Sequence, residues 1–307
     1  MNLQGLTTAF DPATTSDGGR HVVIVGGGAS GVLMASHLLR LPGQGLRVTI
    51  IEGRHMLGCG IAYSTTDPNH LLNTRVSNMS AFPDLPDHFL NWLKSRRDVA
   101  ASTRDDFVSR GVYGAYMSDL LAKWSASPQP RRLRCLSATC IGLDTAGTGV
   151  VARLDDGQDI AADLAIVATG HALPDPDPDR LVIRGWESAP PLAPDGRVVI
   201  IGSGLSMVDQ VVSLLKDGHK GEIFALSRHS QLPRIHADAH ALKIDREELP
   251  LGQPVSALMH WLRGKAEQAK AEGGTWRDAV DGIRPHLRAI WRDLPKAERS
   301  RFLRHAA

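Results

Sequence analysis

The chain has 307 residues, of which 42% are apolar and 22% charged, and its formal net charge at pH 7 is +2. A charge this small gives no reason to expect nucleic acid or a membrane surface as a partner. The three cysteines argue against a disulfide framework, and no apolar run reaches the length of a membrane span. Residues 1–20 lack the features of a secretory signal, so we expect a disordered tail and a cytoplasmic protein.

The first predicted element is a β-branched strand at residues 22–25, which runs directly into a G-x-G-x-x-G pattern and then an amphipathic helix. This order indicates a dinucleotide-binding turn. Gly26 would make the tight bend, Gly28 would admit a pyrophosphate, and Gly31 would let the helix pack close to the strand.

The helix start and the next strand complete this predicted site. The free N–H groups at Ala29 and Ser30 would hold the phosphates. A second strand at residues 46–51 ends in Glu52, 21 residues after Gly31, where an acidic side chain accepts hydrogen bonds from the adenosine ribose.

A long stretch without regular periodicity follows at residues 53–84, and its glycines and apolar residues favour an ordered loop. Two helices are predicted next, at 86–97 and 113–124, with aromatic and Met stripes that suit core packing. From Arg132 onward the period shifts towards two.

This change of period predicts strands at 133–143, 149–154 and 160–162, followed by a buried strand at 164–170. The proline-rich run at 174–179 cannot join a sheet or a helix, so we interpret it as a connector between two lobes.

The opening pattern then returns as an internal repeat, with strands at 197–201 and 222–226 around a helix. Met207 replaces the third glycine, but the two phosphate-facing glycines remain. We therefore predict a second nucleotide site. Its expected contacts are Gly202, Gly204, Leu205 and Ser206.

The ribose position of this second unit differs in charge. Counting 21 residues from Met207 reaches Arg228. A cation there suits the extra phosphate of NADP, whereas an acid suits the free hydroxyls of NAD or FAD. The alternative is a solvated arginine at the end of a strand.

Beyond Pro233 the apolar spacing predicts helices at 251–272, 276–294 and 295–304, with no chemistry of their own. His236 and His240 could share a helix face as metal ligands do, but no third ligand accompanies them. We therefore expect no metal site.

Two nucleotide units with opposite charges at the ribose position suit FAD followed by NADPH, the reduced nicotinamide giving hydride to the flavin. In five stretches the chain resembles the bacterial FAD/NAD(P)-binding oxidoreductase family that includes FAD-dependent urate hydroxylase, a flavin monooxygenase-like group with two dinucleotide-binding domains. These stretches are 23–31, 58–64, 79–84, 168–170 and 201–206.

The resemblance implies that FAD is held by the first unit and the 58–84 loop, and is reduced by NADPH or NADH. A flavin hydroperoxide would then insert one oxygen atom into a small-molecule substrate. The further FAD contacts that it implies are Gly53, Gly60, Asn73, Met79, Thr169 and Gly170.

We therefore predict an α/β fold with two Rossmann-like dinucleotide-binding units, a small β meander and a C-terminal helical segment. The predicted domains are an FAD-binding lobe at 21–180, an NAD(P)-binding unit at 181–232 and a helical cap at 233–307. Residues 73–76 depart from the Asn-Val-Pro-Ala-like segment of the family.

The family architecture also leads us to expect a closing strand that returns to the FAD lobe, and none follows Arg228. We therefore expect a C-terminally truncated chain. The alternatives to an FAD- and NADPH-dependent oxidoreductase are a non-catalytic nucleotide-binding fragment and, third, a plain NADP-linked dehydrogenase.

Overall fold

A computed structural model describes residues 19–43, 45–54, 56–99, 103–125, 132–170, 182–185, 187, 192–237 and 239–306. The chain divides into two compact units, Met1–Pro233 and Arg234–Ala307. Most of the predicted tail and the whole predicted connector at 174–179 lie outside the described residues. The predicted limits of the nucleotide-binding lobes stay predictions.

Short β-branched and alternating runs form the strands, as their periodicity indicates. Within the described residues the strands are β1 (His21–Val25), β2 (Arg47–Ile51), β3 (Leu133–Leu136), β4 (Cys140–Ala146), β5 (Gly149–Leu154), β6 (Asp159–Ala162), β7 (Leu164–Val167), β8 (Val198–Ile201) and β9 (Ile223–Leu226).

Segments with apolar residues at three-and-four spacing form the α-helices. Over the same part of the chain these are α1 (Ala29–Arg40), α2 (His88–Ser95), α3 (Arg110–Asp119), α4 (Ala122–Ser125), α5 (Leu205–Lys216), α6 (Val255–Ala271), α7 (Trp276–Ile283), α8 (Leu287–Asp293) and α9 (Lys296–Ala306).

A four-stranded parallel sheet in the order β3-β2-β1-β7 contains the first βαβ unit, β1-α1-β2. Alternate side chains of its strands face opposite layers, as the pleat requires. Val22 and Ile24 lie in a core with Phe89 and Tyr116 of the helical layer. Val23, with the other side chains of the opposite face, lies in a second core under the antiparallel meander β4-β5-β6.

The second βαβ unit repeats the first on a smaller scale. β8 and β9 pair in parallel around α5, and β9 is the only strand that pairs with β8 in the described part of the chain. Val199 pairs with Phe224 as Val23 pairs with Thr49. Yet Val199 is 60% exposed and Val23 is fully buried, because the meander covers the sheet that contains β1 and not the sheet formed by β8 and β9.

The helical unit 234–307 has a core of its own, to which Ile244, Leu249, Ile283 and Ile290 contribute. The buried Asp278 carboxylate ties its chain together by accepting the N–H groups of Thr275 and His240. These two bonds hold the pKa of Asp278 below its usual range, since both favour the ionised form.

The predicted fold class is confirmed: the chain is α/β, with two parallel βαβ units, a small meander and a helical C-terminal segment. Three segments that were each predicted as one continuous element are divided in the structure, so these predictions were wrong. Residues 133–143 form two strands in different sheets, because β3 pairs with β2 while β4 pairs with β5.

The other two errors concern helices. Residues 113–124 belong to two helices, α3 and α4, with α3 starting earlier, where the Ser109 side chain accepts the N–H of Gly111. Residues 276–294 are interrupted by a 3₁₀ turn at Arg284–His286, where Pro285 lacks the N–H that a continuous helix needs.

The paired positions Val23 and Val199 allow a matched test of the open sheet face. Val23→Ala should lower the free energy of unfolding by about 2 kcal/mol, since it leaves a cavity between two packed layers. Val199→Ala removes the same atoms from an exposed site and should change it by less than about 0.5 kcal/mol. Urea unfolding followed by circular dichroism measures both, and equal losses would contradict the asymmetry between the two units.

Candidate functional site

The first glycine turn connects the carboxyl end of β1 to the start of α1. Gly26 has a φ of +103°, which favours glycine, and its N–H donates to the Ile51 carbonyl at 2.8 Å. A Cβ on Gly26 would lie 2.4 Å from the Ala168 carbonyl oxygen. The bend therefore requires glycine both for its conformation and for its contact with the chain after β7.

The helix start is held close to this bend. A Cβ on Gly31 would lie only 1.9 Å from the carbonyl oxygen of Gly26, so no other residue fits there without a shift of backbone. Gly28 is the N-cap of α1, where no side chain caps the helix and the first turn has no acidic residue. The N–H groups of the first turn can therefore donate hydrogen bonds to an anion such as a phosphate.

Glu52 lies at the end of β2 and is buried beside the turn. Its Oε2 accepts the N–H of Gly27 at 2.8 Å, and its Oε1 accepts the N–H of Arg54 at 2.9 Å. Oε1 also accepts the Nε–H of Arg54 at 3.2 Å. A carboxylate has about four acceptor sites, so about one remains for a ribose hydroxyl. The neighbouring Gly53 is constrained differently, since a Cβ there would lie 2.8 Å from Thr139 Oγ1.

The 58–64 loop lies against the first turn. The N–H of Gly58 donates to the carbonyl of Gly27 at 2.7 Å, and Gly60, with a φ of +53°, brings its Cα to 3.5 Å from a Cβ placed on Gly28. Burial raises the pKa of the Cys59 thiol, which is free and faces the core. The loop and the turn together form a glycine-lined edge beside the start of α1.

The remaining predicted FAD contacts lie around this edge. The N–H of Ala168 donates to the Val25 carbonyl, which places the exposed Thr169 and Gly170 at the carboxyl end of β7, next to the turn. Asn73 is exposed, whereas Met79 packs against the core. The roles of these four residues stay predictions.

The second glycine turn, between β8 and α5, has the same backbone geometry. Gly202 has a φ of +108°, and its N–H donates to the Leu226 carbonyl at 2.8 Å. Gly204 is the N-cap of α5 without a side-chain cap, and Leu205 and Ser206 at the helix start are exposed. A Cβ on Gly202 or Gly204 would meet open space, so this turn has room for a ligand.

The register of the second turn changes which residue stands at the ribose position. Gly26 bonds to the residue before Glu52, and Gly202 bonds to the residue before Ser227. The Ser203 and Ser227 hydroxyl oxygens are also 2.8 Å apart, at the position of the bond between Gly27 and Glu52. Because Ser203 donates its proton to the Gln231 carbonyl at 2.7 Å, Ser227 is the donor in this pair. Ser227 therefore matches Glu52, and the exposed Arg228 lies one residue further on.

The difference arises because the chain from Gly202 to Leu226 is one residue shorter than the equivalent chain from Gly26 to Ile51. Counting from Met207 could not detect it, because the spacing of a helix and its loop is not fixed between repeats. The one available signal was that the β-branched and apolar strand residues end at Leu226, before Ser227.

The described residues contain no cluster of three or more His, Cys, Asp or Glu side chains that could hold a metal ion. His236 and His240 lie in an irregular segment, so they do not share the face of a helix. Among the helices of the described chain, none is long and apolar enough to cross a lipid bilayer.

Comparison with protein families places this geometry in a known group. Residues 23–172 match a family described as FAD-NAD(P)-binding. This matching segment covers just under half of the chain. It contains the first glycine turn, Glu52, the 58–64 loop and β7, which are the parts that carry the resemblance to flavoproteins. The predicted membership of an FAD/NAD(P)-binding family is thus confirmed, and nothing singles out urate hydroxylase within it.

Individual relatives are more distant. The Uncharacterized protein YdhS of Escherichia coli (strain K12) is 26% identical over 169 residues, which cover 51% of this chain and 31% of that protein. A mutant flavin monooxygenase from Stenotrophomonas maltophilia superimposes with a TM-score of 0.47 and 20% identity, covering 75% of this chain and 62% of that one.

Two further solved structures are similar to the same extent. S-allyl-L-cysteine S-oxygenase from Allium sativum has a TM-score of 0.47 and 21% identity, over 71% of this chain and 53% of its own. An oxidised steroid monooxygenase bound to NADP has a TM-score of 0.47 and 20% identity, over 75% of this chain and 42% of its own. The chain spans about a third of its curated relative.

The two N-cap glycines provide a test that separates binding from folding. Both have a φ that alanine adopts readily, and a Cβ would meet only Gly60 at ordinary contact distance in one case and nothing in the other. Gly28→Ala should weaken FAD binding, and Gly204→Ala should weaken NADPH binding, each by at least about tenfold, or roughly 1.4 kcal/mol. The added methyl group would stand where the phosphates approach the helix start.

Isothermal titration calorimetry with each nucleotide measures these effects, and thermal unfolding of the nucleotide-free protein is the control. Each variant serves as the matched control of the other. Loss of both affinities in either variant, or no loss in both, would contradict the assignment of one nucleotide to each turn.

Proposed function

We propose that the chain is an FAD-dependent oxidoreductase that takes hydride from NADPH and acts as a monooxygenase on a small molecule. The observation that carries the proposal is the pair of uncapped glycine turns with different groups at the ribose position. The first has the buried Glu52 carboxylate, and the second has the Ser227 hydroxyl followed by Arg228.

The charge at the first turn favours FAD over NADP. Glu52 is held by Gly27 and Arg54, so its position is set before any ligand arrives. A carboxylate there can accept ribose hydroxyls, whereas the 2′-phosphate of NADP would bring like charge against a buried anion. The glycine edge at Gly28 and Gly60 leaves space for the pyrophosphate.

The groups at the second turn favour NADPH, with NADH as the alternative reductant. Ser227 is neutral and its oxygen can accept a hydrogen bond from a ribose hydroxyl, and the Arg228 guanidinium next to it can pair with a phosphate. Met207 replaces the third glycine of the motif, but Gly202 and Gly204, which face the phosphates in the motif, are both kept.

Bound FAD would supply the redox chemistry, including the activation of oxygen that a monooxygenase needs. The residues of this chain would bind and orient the two nucleotides. The monooxygenase assignment rests on the resemblance of the sequence motifs to flavin monooxygenases. A small-molecule substrate is proposed on the same basis, and a cytoplasmic location because the odd number of cysteines suits a reducing compartment.

A second candidate is a chain that binds nucleotides without turnover. The open face of the β8-β9 sheet favours it, because Val199 and Ile201 are 60% and 78% exposed where the equivalent first-unit residues are covered. A second unit that lacks such a layer could bind NADPH without holding it in a reactive position.

Spectroscopy with both nucleotides distinguishes these candidates. We expect the purified chain to take up FAD, shown by a flavin absorption spectrum that survives gel filtration, and anaerobic NADPH to bleach that spectrum. Oxygen should then restore it. FAD uptake without bleaching would support the binding candidate, and absence of FAD uptake would contradict both the oxidoreductase and its cofactor.

Nucleotide preference tests the assignment of the second ribose position. Arg228→Glu should weaken NADPH binding by about tenfold or more and leave NADH nearly unchanged, because only NADPH carries the 2′-phosphate. Ser227→Glu recreates the first-unit arrangement and should shift the preference in the same direction. Dissociation constants from nucleotide fluorescence measure this.

Lys220→Glu is the control for the change of charge. Lys220 is exposed in the same βαβ unit but precedes β9, at the opposite end of the strand from Arg228. It should leave the ratio of the two affinities unaltered. An equal loss of affinity for NADPH and NADH in Arg228→Glu would show that the guanidinium does not bind the 2′-phosphate.

A further inference from the structure

Polar side chains on one side of α5 contact the segment that follows the 58–64 loop. Asp209, Ser213 and Lys216 are spaced by four and three residues, so they lie on the same face of the helix. Their partners are on the segment 65–72 and at the start of α3. The contacts join the helix of the second nucleotide turn to the part of the chain that holds the first.

The Ser213 hydroxyl is the centre of these contacts. It donates to Asp67 Oδ2 at 2.9 Å and lies 2.9 Å from His70 Nε2. Since its single proton goes to Asp67, the serine oxygen accepts from His70 Nε2–H. His70 Nδ1 then accepts the Thr65 hydroxyl proton at 2.8 Å. Every donor in this chain of hydrogen bonds therefore has an acceptor.

An ion pair lies beside this network. Arg110 Nη2 is 2.7 Å from Asp209 Oδ2, and the two side chains are only 24% and 14% exposed. Partial burial makes such a pair stronger than one on the open surface. Arg110 also donates through Nε to the carbonyl of Leu71 and through its backbone N–H to that of His70.

The Asp67 carboxylate carries the negative charge of the network. Its pKa is held well below the usual range, chiefly by the N–H of Asn69, and further by the Ser213 hydroxyl and the ammonium of Lys216, whose Nζ is 3.5 Å from Oδ1. Asp67 is thus ionised at neutral pH and can accept hydrogen bonds from α5 there.

Both ends of this polar bridge, which consists of Asp67, His70, Arg110, Asp209 and Ser213, are attached to a nucleotide turn. The segment 65–72 continues the loop whose Gly58 N–H donates to Gly27 in the first turn. Ser213 is nine residues after Gly204 on a continuous helix, which corresponds to about 13 Å along its axis.

We propose that the polar bridge positions the second nucleotide turn relative to the first, so that Ser213 and Asp209 are positioning residues for hydride transfer from NADPH to FAD. This inference rests on the proposed function. In the transfer, a hydride leaves the dihydronicotinamide, which becomes NADP⁺, and the oxidised flavin accepts it and is reduced by two electrons. A displacement of about 1 Å between reacting groups can cost roughly a hundredfold in rate.

The test uses the double variant Ser213→Ala, Asp209→Asn in the full chain. With FAD bound, the rate of flavin reduction at saturating NADPH should fall by about tenfold to a hundredfold. The dissociation constants of FAD and NADPH should change by less than about twofold, because neither side chain lies at a glycine turn. The single variant Ser213→Thr, which keeps both the hydroxyl and Asp209, should retain most of the wild-type rate of flavin reduction.

Val212→Ala is the matched control, since Val212 is an exposed residue next to Ser213 on the same helix. It should leave the reduction rate unchanged. A second readout needs no cofactor: amide hydrogen exchange in α5 and in residues 65–72 should become faster in the double variant and not in the control.

The outcomes separate the bridge from the proposed reaction. Unchanged exchange in the double variant would overturn the bridge, whatever the enzyme does. Faster exchange with an unchanged reduction rate would overturn the positioning role. A wild-type chain that binds FAD but is not reduced by NADPH would overturn both the proposed function and the role that rests on it, while the exchange result would still show whether the bridge exists.

Discussion

The contact between the helix start and the bend at the first turn is the constraint on which the nucleotide-binding geometry depends. A Cβ on Gly31 would collide with the Gly26 carbonyl at 1.9 Å, so glycine lets α1 begin directly above the carboxyl end of β1. That position aims the uncapped N–H groups of the helix at the edge of the sheet, where ligands bind in parallel α/β folds. Glu52 and the 58–64 loop then contact the same turn and complete the edge.

The internal repeat shows which parts of the motif serve packing and which serve the ligand. The second turn keeps the bend at Gly202 and the uncapped N-cap at Gly204, but it has Met207 where the first has Gly31. The bend and the free helix start are thus common to both units, whereas the close helix–strand approach is not. The first unit has a second layer on its sheet, and the second unit has an exposed face.

Polar groups join the two turns, and no buried apolar cluster of the described residues contains side chains from both βαβ units. Asp209 and Ser213 meet Arg110 and Asp67 through hydrogen bonds and an ion pair of low exposure. Polar contacts of this kind depend on geometry more strongly than apolar ones, because a hydrogen bond weakens steeply when its angle or distance changes. They can therefore define a relative position with few atoms, which is what transfer between two bound nucleotides requires.

The sequence by itself determined the fold class, both glycine turns and Glu52 at the end of β2. These features follow from local requirements: β-branched runs form strands, and positive φ at Gly26 and Gly202 requires glycine. Tertiary structure alone decided that Ser227 and not Arg228 matches Glu52, because the register of β9 is set by pairing with β8. It also decided that residues 133–143 enter two sheets, and it brought together Asp67 and Ser213, which lie 146 residues apart in the chain. No local pattern marks such contacts, since each residue has an ordinary polar side chain until the fold provides its partner.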